Sequence, residues 1–174
     1  MRNYFCGWYY KCQNDAQTVA LIPAFHITDG VRSCSIQLIT DEASWTIHFS
    51  DQQYQKQDQI ISIGNNHFDR NGLTLDIHTP ELKAFGKLEF GEFTPIRYDI
   101  MGPFRFAPFM ECRHSVFSIK HCVNGELTIN GKPYRFSNGV GYMEGDRGRS
   151  FPSEYVWAQC CFPEGSFMLS VARI

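Results

Sequence analysis

The chain has 174 residues, a formal net charge of -2 and no run of lysine or arginine. This length suits one domain with a substantial core, and the lack of a basic patch argues against a nucleic-acid partner. No stretch approaches the ~20 consecutive apolar residues of a membrane span, and the first residues lack the apolar core of a signal peptide. We therefore expect a single domain over residues 1–174 with no transmembrane segment.

Cysteine and histidine placement gives further limits. The seven cysteines are odd in number and none are spaced as CxxC, so reduced thiols in a cytoplasmic protein are expected rather than disulfides or a zinc site. His114 and His121 fall on opposite faces of one predicted strand, which argues against a shared metal. We expect no metal ion.

Alternating apolar and polar residues predict strands through most of the chain. The clearest runs have their apolar residues at Trp45, Ile47 and Phe49, at Leu73, Leu75 and Ile77, and at Leu127 and Ile129. Asn130–Gly131 lies between two such runs and predicts a hairpin with a type I′ turn. Because no window has a sustained helical period, the sequence predicts an all-β protein, either a sandwich or a closed barrel.

Three features depart from this pattern. Residues 51–59 are polar and glutamine-rich, which predicts an exposed loop. Residues 101–109 are irregular but apolar and could close one end of a barrel. Pro23 lies in an apolar run, and because proline cannot donate to a strand ladder, we expect it at an edge or a bulge.

The stretch 141–157 holds the strongest candidates for a functional site. Tyr142, Glu144 and Asp146 alternate along a predicted strand, so their side chains share a face and the two acids lie ~7 Å apart. Aromatic residues make up 15% of the chain, enough either to fill a core or to line an apolar cavity.

Three separated blocks resemble the tocopherol cyclase-like family, which is related to the carotenoid hydratases and AttH-like proteins. The blocks are FCGWYYK at 5–11, MGPF followed by MECRH within 101–114, and GYMEGDRGRSFP followed by YVW within 141–159. Their order and spacing extend the resemblance over essentially the whole chain. The third block departs from the family pattern at Gly145, where lysine is usual, and at Arg147, where tryptophan is usual.

The resemblance implies an antiparallel lipocalin-like β-barrel, a single barrel with at most the start of a second barrel half. Members of the family run longer and carry that second half, which is expected to be missing here. A homodimer could supply it, because an open sheet edge invites pairing.

The resemblance also implies a chemistry: acid-initiated cyclisation or hydration of a prenyl double bond in a small hydrophobic ligand, isoprenoid or lipid-like, without metal or other cofactor. Such a reaction needs a carboxylic acid that burial keeps protonated, with aromatic walls that stabilise a cation. Glu144 and Asp146 are the candidate catalytic acids. The candidate ligand-binding residues are Trp8, Tyr10, Tyr142, Arg149, Phe151, Tyr155 and Trp157.

Each candidate also has a simpler structural explanation. The acids could pair with Arg147 or Arg149 and brace a turn, and aromatic residues of strands are more often ordinary core. Three functions therefore stay open: an acid-catalysing enzyme, a non-enzymatic lipophile carrier, and an assembly module with a solid core. The first two require an internal cavity, of about 300 Å³ or more for a drug-sized ligand.

Overall fold

The computed structural model describes residues 3–108, 110–162 and 165–173. Within these ranges the regular structure is thirteen strands and two short 3₁₀ helices, and no helix has the length and apolar character needed to cross a membrane. The prediction of an all-β protein is confirmed. The strands are β1 (Tyr4–Gln13), β2 (Thr18–Thr28), β3 (Val31–Thr40), β4 (Ser44–Phe49), β5 (Tyr54–Gln57), β6 (Ile60–Ile63), β7 (Asn66–Phe68), β8 (Gly72–His78), β9 (Lys83–Phe90), β10 (Cys112–Ile129), β11 (Lys132–Gly148), β12 (Tyr155–Phe162) and β13 (Gly165–Ala172).

Eleven strands form one antiparallel sheet in the order β4-β3-β2-β1-β11-β10-β9-β8-β7-β6-β5. The edge strands β4 and β5 are consecutive in the chain and are joined by the 3₁₀ helix Asp51–Gln53. Phe25 of β2 stacks on Tyr54 of β5 with 4.8 Å between ring centroids, which brings the two ends of the sheet together. The sheet is therefore a nearly closed barrel, as predicted.

Side chains from all around the sheet fill the barrel interior. Tyr10 is fully buried and packs against Phe68 and Phe90, with ring centroids 5.8 and 5.9 Å away. Each large apolar side chain buried in this way contributes about 1.5–3 kcal/mol. The apolar residues of the predicted strands lie in this core, and those fully buried or nearly so are Ile47, Leu73, Leu75, Ile77, Leu127 and Ile129.

The β10–β11 hairpin turns as predicted at Asn130 and Gly131, whose φ angles are 47° and 83°. Positive φ at both central positions defines the type I′ turn. All seven cysteines are free thiols, in agreement with the expected absence of disulfides. A cytoplasmic location stays a prediction.

Two predictions about local structure were wrong. Residues 51–59 are mostly exposed, but they contain a 3₁₀ turn and the strand β5, which pairs with β6. Polar side chains suit such an edge strand because they discourage pairing with other chains. Pro23 lies in β2, between β1 and β3 and not at an edge. The sheet accommodates it because the β1–β2 pairing is interrupted between Gly7–Ala24 and Tyr10–Leu21.

The apolar segment 101–108 forms a 3₁₀ helix at Gly102–Phe106, and Phe109, its predicted last residue, lies outside the described residues. Phe104 and Phe106 are exposed. Contrary to expectation, these two rings are not inserted into the end of the barrel.

Strands β12 and β13 form a separate two-stranded hairpin that packs on the outside of the barrel. Its inner side is attached by polar contacts: Lys11 Nζ donates to Gln159 Oε1 at 3.0 Å, and the Cys161 thiol lies 3.5 Å from the carbonyl of Ile119. The hairpin thus covers part of the outer face of β1, β11 and β10.

Candidate functional site

Strand β11 separates two environments. Tyr142, Glu144 and Asp146 share one face of the strand, as predicted. This is the outer face, and not a face turned into a cavity as acid catalysis inside the barrel would require, while Gly145 belongs to the inner face. Because β11 lies between β1 and β10, its residues have neighbours on both sides. The outer face is where titratable groups come together.

His114 of β10 lies directly opposite Asp146 and contacts both acids. Its Nδ1 is 2.7 Å from Asp146 Oδ1, and its Nε2 is 3.1 Å from Glu144 Oε2. The first contact is a hydrogen bond. The second is a close ion pair that is not aligned well enough to be a hydrogen bond. The three side chains form a half-buried to buried cluster, with 13%, 8% and 22% of the side-chain surface exposed for His114, Glu144 and Asp146.

The cluster holds a proton on His114. Burial alone would lower the pKa of His114, but the hydrogen bond to Asp146, the close contact with Glu144 and the charges of both acids raise that pKa to about 9. His114 is therefore an imidazolium at neutral pH, flanked by two carboxylates.

Glu144 is surrounded by donors. Its Oε2 accepts hydrogen bonds from the Tyr142 hydroxyl at 2.5 Å and from the Trp157 indole N–H at 3.1 Å, in addition to the contact with His114. These donors thus converge on one carboxylate oxygen. The catalytic role of Glu144 and Asp146 stays a prediction, and His114 joins them as a candidate proton donor.

The ligand atoms of His114, Glu144 and Asp146 all lie within 4.8 Å of one another, a spacing that a cation could use. The chemistry of the surrounding donors suits a proton better. Both ring nitrogens of His114 already face carboxylates, and the Tyr142 O–H and Trp157 N–H point at the same oxygen of Glu144. A metal ion at this oxygen would compete with both donors.

Three aromatic rings stand beside the cluster. Trp157 lies 5.6 Å from Tyr9 and 6.2 Å from Tyr142, measured between ring centroids. Burial and the negative charge of Glu144 raise the pKa of Tyr9 to about 12. Two of these rings, Tyr142 and Trp157, were predicted as ligand-binding residues; Tyr9, which faces Glu144 across the β1–β11 pairing, was not.

The other predicted ligand-binding aromatics do not join this cluster. Tyr10 is fully buried in the barrel core, and Trp8 is on the same inner face of β1. Phe151 and Tyr155 stack on each other at 6.2 Å and are both more than half exposed. The predicted set is therefore divided between the core, the outer face and the surface.

Arg147, one of the two arginines proposed as alternative partners, occupies another position. Arg147 lies on the inner face with Gly145, one residue beyond Asp146. The backbone N–H of Arg149 donates to the carbonyl of Glu111 at 2.7 Å, which ties the end of β11 to the start of β10. The cation that lies between the two acids is His114.

A second candidate site lies on the inner side of β11, at one end of the barrel. A cleft of about 180 Å³ is bordered by Trp8, Phe117 and Gly145, with Lys56 and Arg147 at the same end. The two rings are 5.7 Å apart. A Cβ on residue 145 would lie 2.7 Å from the Trp8 ring and 2.8 Å from the Phe117 ring. The absence of a side chain at Gly145 is thus what allows these rings to approach β11.

Together these features define a lipocalin-like antiparallel β-barrel with one titratable cluster outside and one small cleft at its end. A crystal structure of a protein from Nitrosomonas europaea, described as a "putative AttH", is similar to this chain with a TM-score of 0.57 and 12% identity. The match covers 99% of this chain and 61% of that one, so the chain spans about three fifths of its neighbour's length. No family model and no curated protein matches the chain. A likeness at this identity shows the fold alone, and the resemblance to tocopherol cyclases stays a hypothesis.

Proposed function

We propose that this protein binds a small apolar ligand, or one end of a longer one, in the cleft between Trp8 and Phe117. The supporting observation is the pair of aromatic rings held over Gly145 at this end of the barrel. Ligand sites in barrels commonly lie at their mouths.

The size of the cleft limits the ligand. Its volume of about 180 Å³ is below the ~300–1,000 Å³ of sites for drug-sized molecules. It suits one or two fused rings or a short aliphatic segment, and a longer isoprenoid would extend into solvent. Removing ~150 Å² of apolar surface from water would contribute about 4 kcal/mol, so this contact alone gives weak binding.

The test uses 2-naphthalenemethanol as a neutral bicyclic probe, with affinity measured by isothermal titration calorimetry. Ser115 lines the cleft and is exposed, so Ser115→Phe should fill the cleft without disturbing the core. The matched control is Ser44→Phe, a substitution of an exposed serine on the edge strand β4. We expect the probe to bind the native protein and Ser44→Phe equally and to bind Ser115→Phe at least ~10-fold more weakly. Equal binding to both variants, or none to the native protein, would refute the proposal.

A second candidate function is proton transfer at the outer cluster. It is favoured by the protonated His114 beside the rings of Tyr9, Tyr142 and Trp157. An acid with a pKa near 9 donates more readily to an oxygen or nitrogen base than to a carbon–carbon double bond. The cluster therefore suits proton transfer to a heteroatom better than the alkene protonation implied by the resemblance.

The cyclase hypothesis can be tested separately. Incubation with a prenylated hydroquinone, followed by mass spectrometry and chromatography, detects a chromanol product. Product that forms with the native protein and disappears in His114→Gln and Glu144→Gln, while the folded state is retained, would support acid-initiated cyclisation. No product would leave only ligand binding or heteroatom proton transfer.

The predicted homodimer remains a proposal. The outer side of the β12–β13 hairpin exposes apolar side chains, among them Val156, Phe167, Leu169 and Val171. A patch of this kind favours association. Light scattering coupled to size-exclusion chromatography would give twice the chain mass for a dimer, and the mass of one chain would rule it out.

A further inference from the structure

Two basic side chains stand at the cleft between Trp8 and Phe117. The Lys56 ammonium lies 5.5 Å from the centroid of the Trp8 ring and 3.6 Å from Cys6 Sγ. Arg147 is the cross-strand partner of Cys6 and lines the same cleft. Within the described part of the chain, no carboxylate lies within 4 Å of either cation.

The acids nearby do not cancel this charge. Asp146 also borders the cleft, but its carboxylate is paired with His114 on the outer face. Asp58 is the other acid of the cleft, and it forms no salt bridge with a described residue. Two cations and one unpaired carboxylate give this end of the barrel a net positive charge.

A neutral ligand would leave these two cations without a partner. An apolar group packed against the two rings would partly cover Lys56 and Arg147, and cations removed from water without a partner are costly. An anionic group on the ligand would supply the partner that Lys56 and Arg147 lack. The guanidinium of Arg147 can hold a carboxylate through two parallel hydrogen bonds, and the Lys56 ammonium adds a point charge.

We propose that the ligand of this cleft is an amphipathic anion, with its apolar part packed against Trp8 and Phe117 and its acidic head group beside Lys56 and Arg147. The inference rests on the proposed ligand-binding function and adds the chemical class of the ligand. It assigns Lys56 and Arg147 as the residues that discriminate acids from neutral lipophiles.

The test compares two probes that share a ring system and differ in charge, 2-naphthoate and 2-naphthalenemethanol, by isothermal titration calorimetry at low ionic strength. Two solvent-exposed ion pairs should make naphthoate bind about five-fold more tightly. Added salt should reduce this preference, because salt screens exposed charges.

Three variants locate the source of the preference. The double variant Lys56→Gln/Arg147→Gln should bind both probes equally, whereas Asp58→Asn should increase the preference for naphthoate. The control, Lys87→Gln/Arg135→Gln, removes two exposed cations that are paired with Glu89 and Glu126 elsewhere on the barrel. It changes the net charge equally and should leave the preference intact.

The outcomes separate the two proposals. Equal binding of both probes to the native protein, or a preference that survives in Lys56→Gln/Arg147→Gln, would overturn the acidic-ligand inference and leave ligand binding standing. Binding of neither probe would remove the proposed function itself. Unchanged near-ultraviolet circular dichroism of each variant checks that the packing around Trp8 is preserved.

Discussion

His114 and His121 belong to the same strand, β10, yet their surroundings are opposite. His114 lies on the outer face between Glu144 and Asp146, which raise its pKa to about 9 against the effect of burial. His121 lies on the inner face, where burial lowers its pKa to about 4. Its ring packs 4.9 Å from Phe90 and 4.6 Å from Phe93.

The difference shows which side of the barrel wall can carry proton chemistry. The inner face holds a neutral histidine in an aromatic core, and the outer face holds a charged one in a polar cluster under the β12–β13 hairpin.

The largest effect is expected for Glu144→Gln. This change removes a carboxylate that neutralises His114 and leaves the imidazolium with one acidic partner. Breaking a largely buried pair typically costs 3–5 kcal/mol; because the cluster keeps Asp146, we expect about 3 kcal/mol in urea unfolding at pH 7. The control Glu154→Gln breaks the exposed pair with Arg173 and should change stability by less than ~0.5 kcal/mol. Equal losses in the two variants would contradict the cluster's role.

The free energy of unfolding should be greatest near pH 6.5 and should decrease towards both higher and lower pH. Because the folded pKa of His114 lies above the unfolded value of 6.5, its stabilisation is complete below pH 6.5 and is lost as the pH rises through about 9. Because the folded pKa of His121 lies below that value, acid favours unfolding between pH 6.5 and about 4. Each limb should amount to about 3 kcal/mol.

Single substitutions should remove the limbs one at a time, as measured by thermal unfolding from pH 4 to 9.5. His114→Gln should flatten the alkaline limb and keep the acid limb. His121→Asn should do the reverse. A change of the acid limb in His114→Gln, or of the alkaline limb in His121→Asn, would contradict the assignment of the two limbs to these histidines.

Gly141→Ala should destabilise the protein by about 2 kcal/mol through overpacking. Gly141 faces His121 across the β10–β11 pairing, and a Cβ there would overlap the imidazole ring. The double variant Gly141→Ala/His121→Ala should show a favourable coupling in a double-mutant cycle, because the smaller side chain makes room. Additive losses would mean that the ring does not occupy this space.

The smallest effect is expected for Trp157→Phe. It keeps an aromatic ring but removes the N–H that donates to Glu144, which should cost about 1 kcal/mol. The same substitution in a Glu144→Gln background should cost less, as measured by urea unfolding. An unchanged cost would show that the hairpin is held by packing alone.

Much of the fold could be predicted from sequence because it depends on local patterns. Period-two runs identified strands such as β4 and β8, and Asn130–Gly131 identified the hairpin turn. Residues 51–59 were misassigned because a short polar edge strand lacks the apolar alternation that marks a strand. Pro23 was misplaced because its missing N–H is tolerated at an interruption in pairing that the sequence does not reveal.

The site was only partly predictable. Counted from the Asn130–Gly131 turn without interruption, the β10–β11 register would put His114 opposite Arg147, with Glu144 and Asp146 on the other face of the sheet. Register shifts between Val116 and Gly125 move it by one residue, so that it lies opposite Asp146. A one-residue shift exchanges the two faces of a strand, and nothing in the sequence pattern indicated these bulges.

At neutral pH the two histidines of β10 differ in charge: His114 is protonated and His121 is neutral. Nuclear magnetic resonance of the ring carbons of His114 and His121, assigned with His114→Gln and His121→Asn, tests it directly across pH 4–10. We expect His114 to titrate near pH 9 and His121 to stay neutral down to about pH 4. Titration of both near the ordinary value of 6.5 would contradict it.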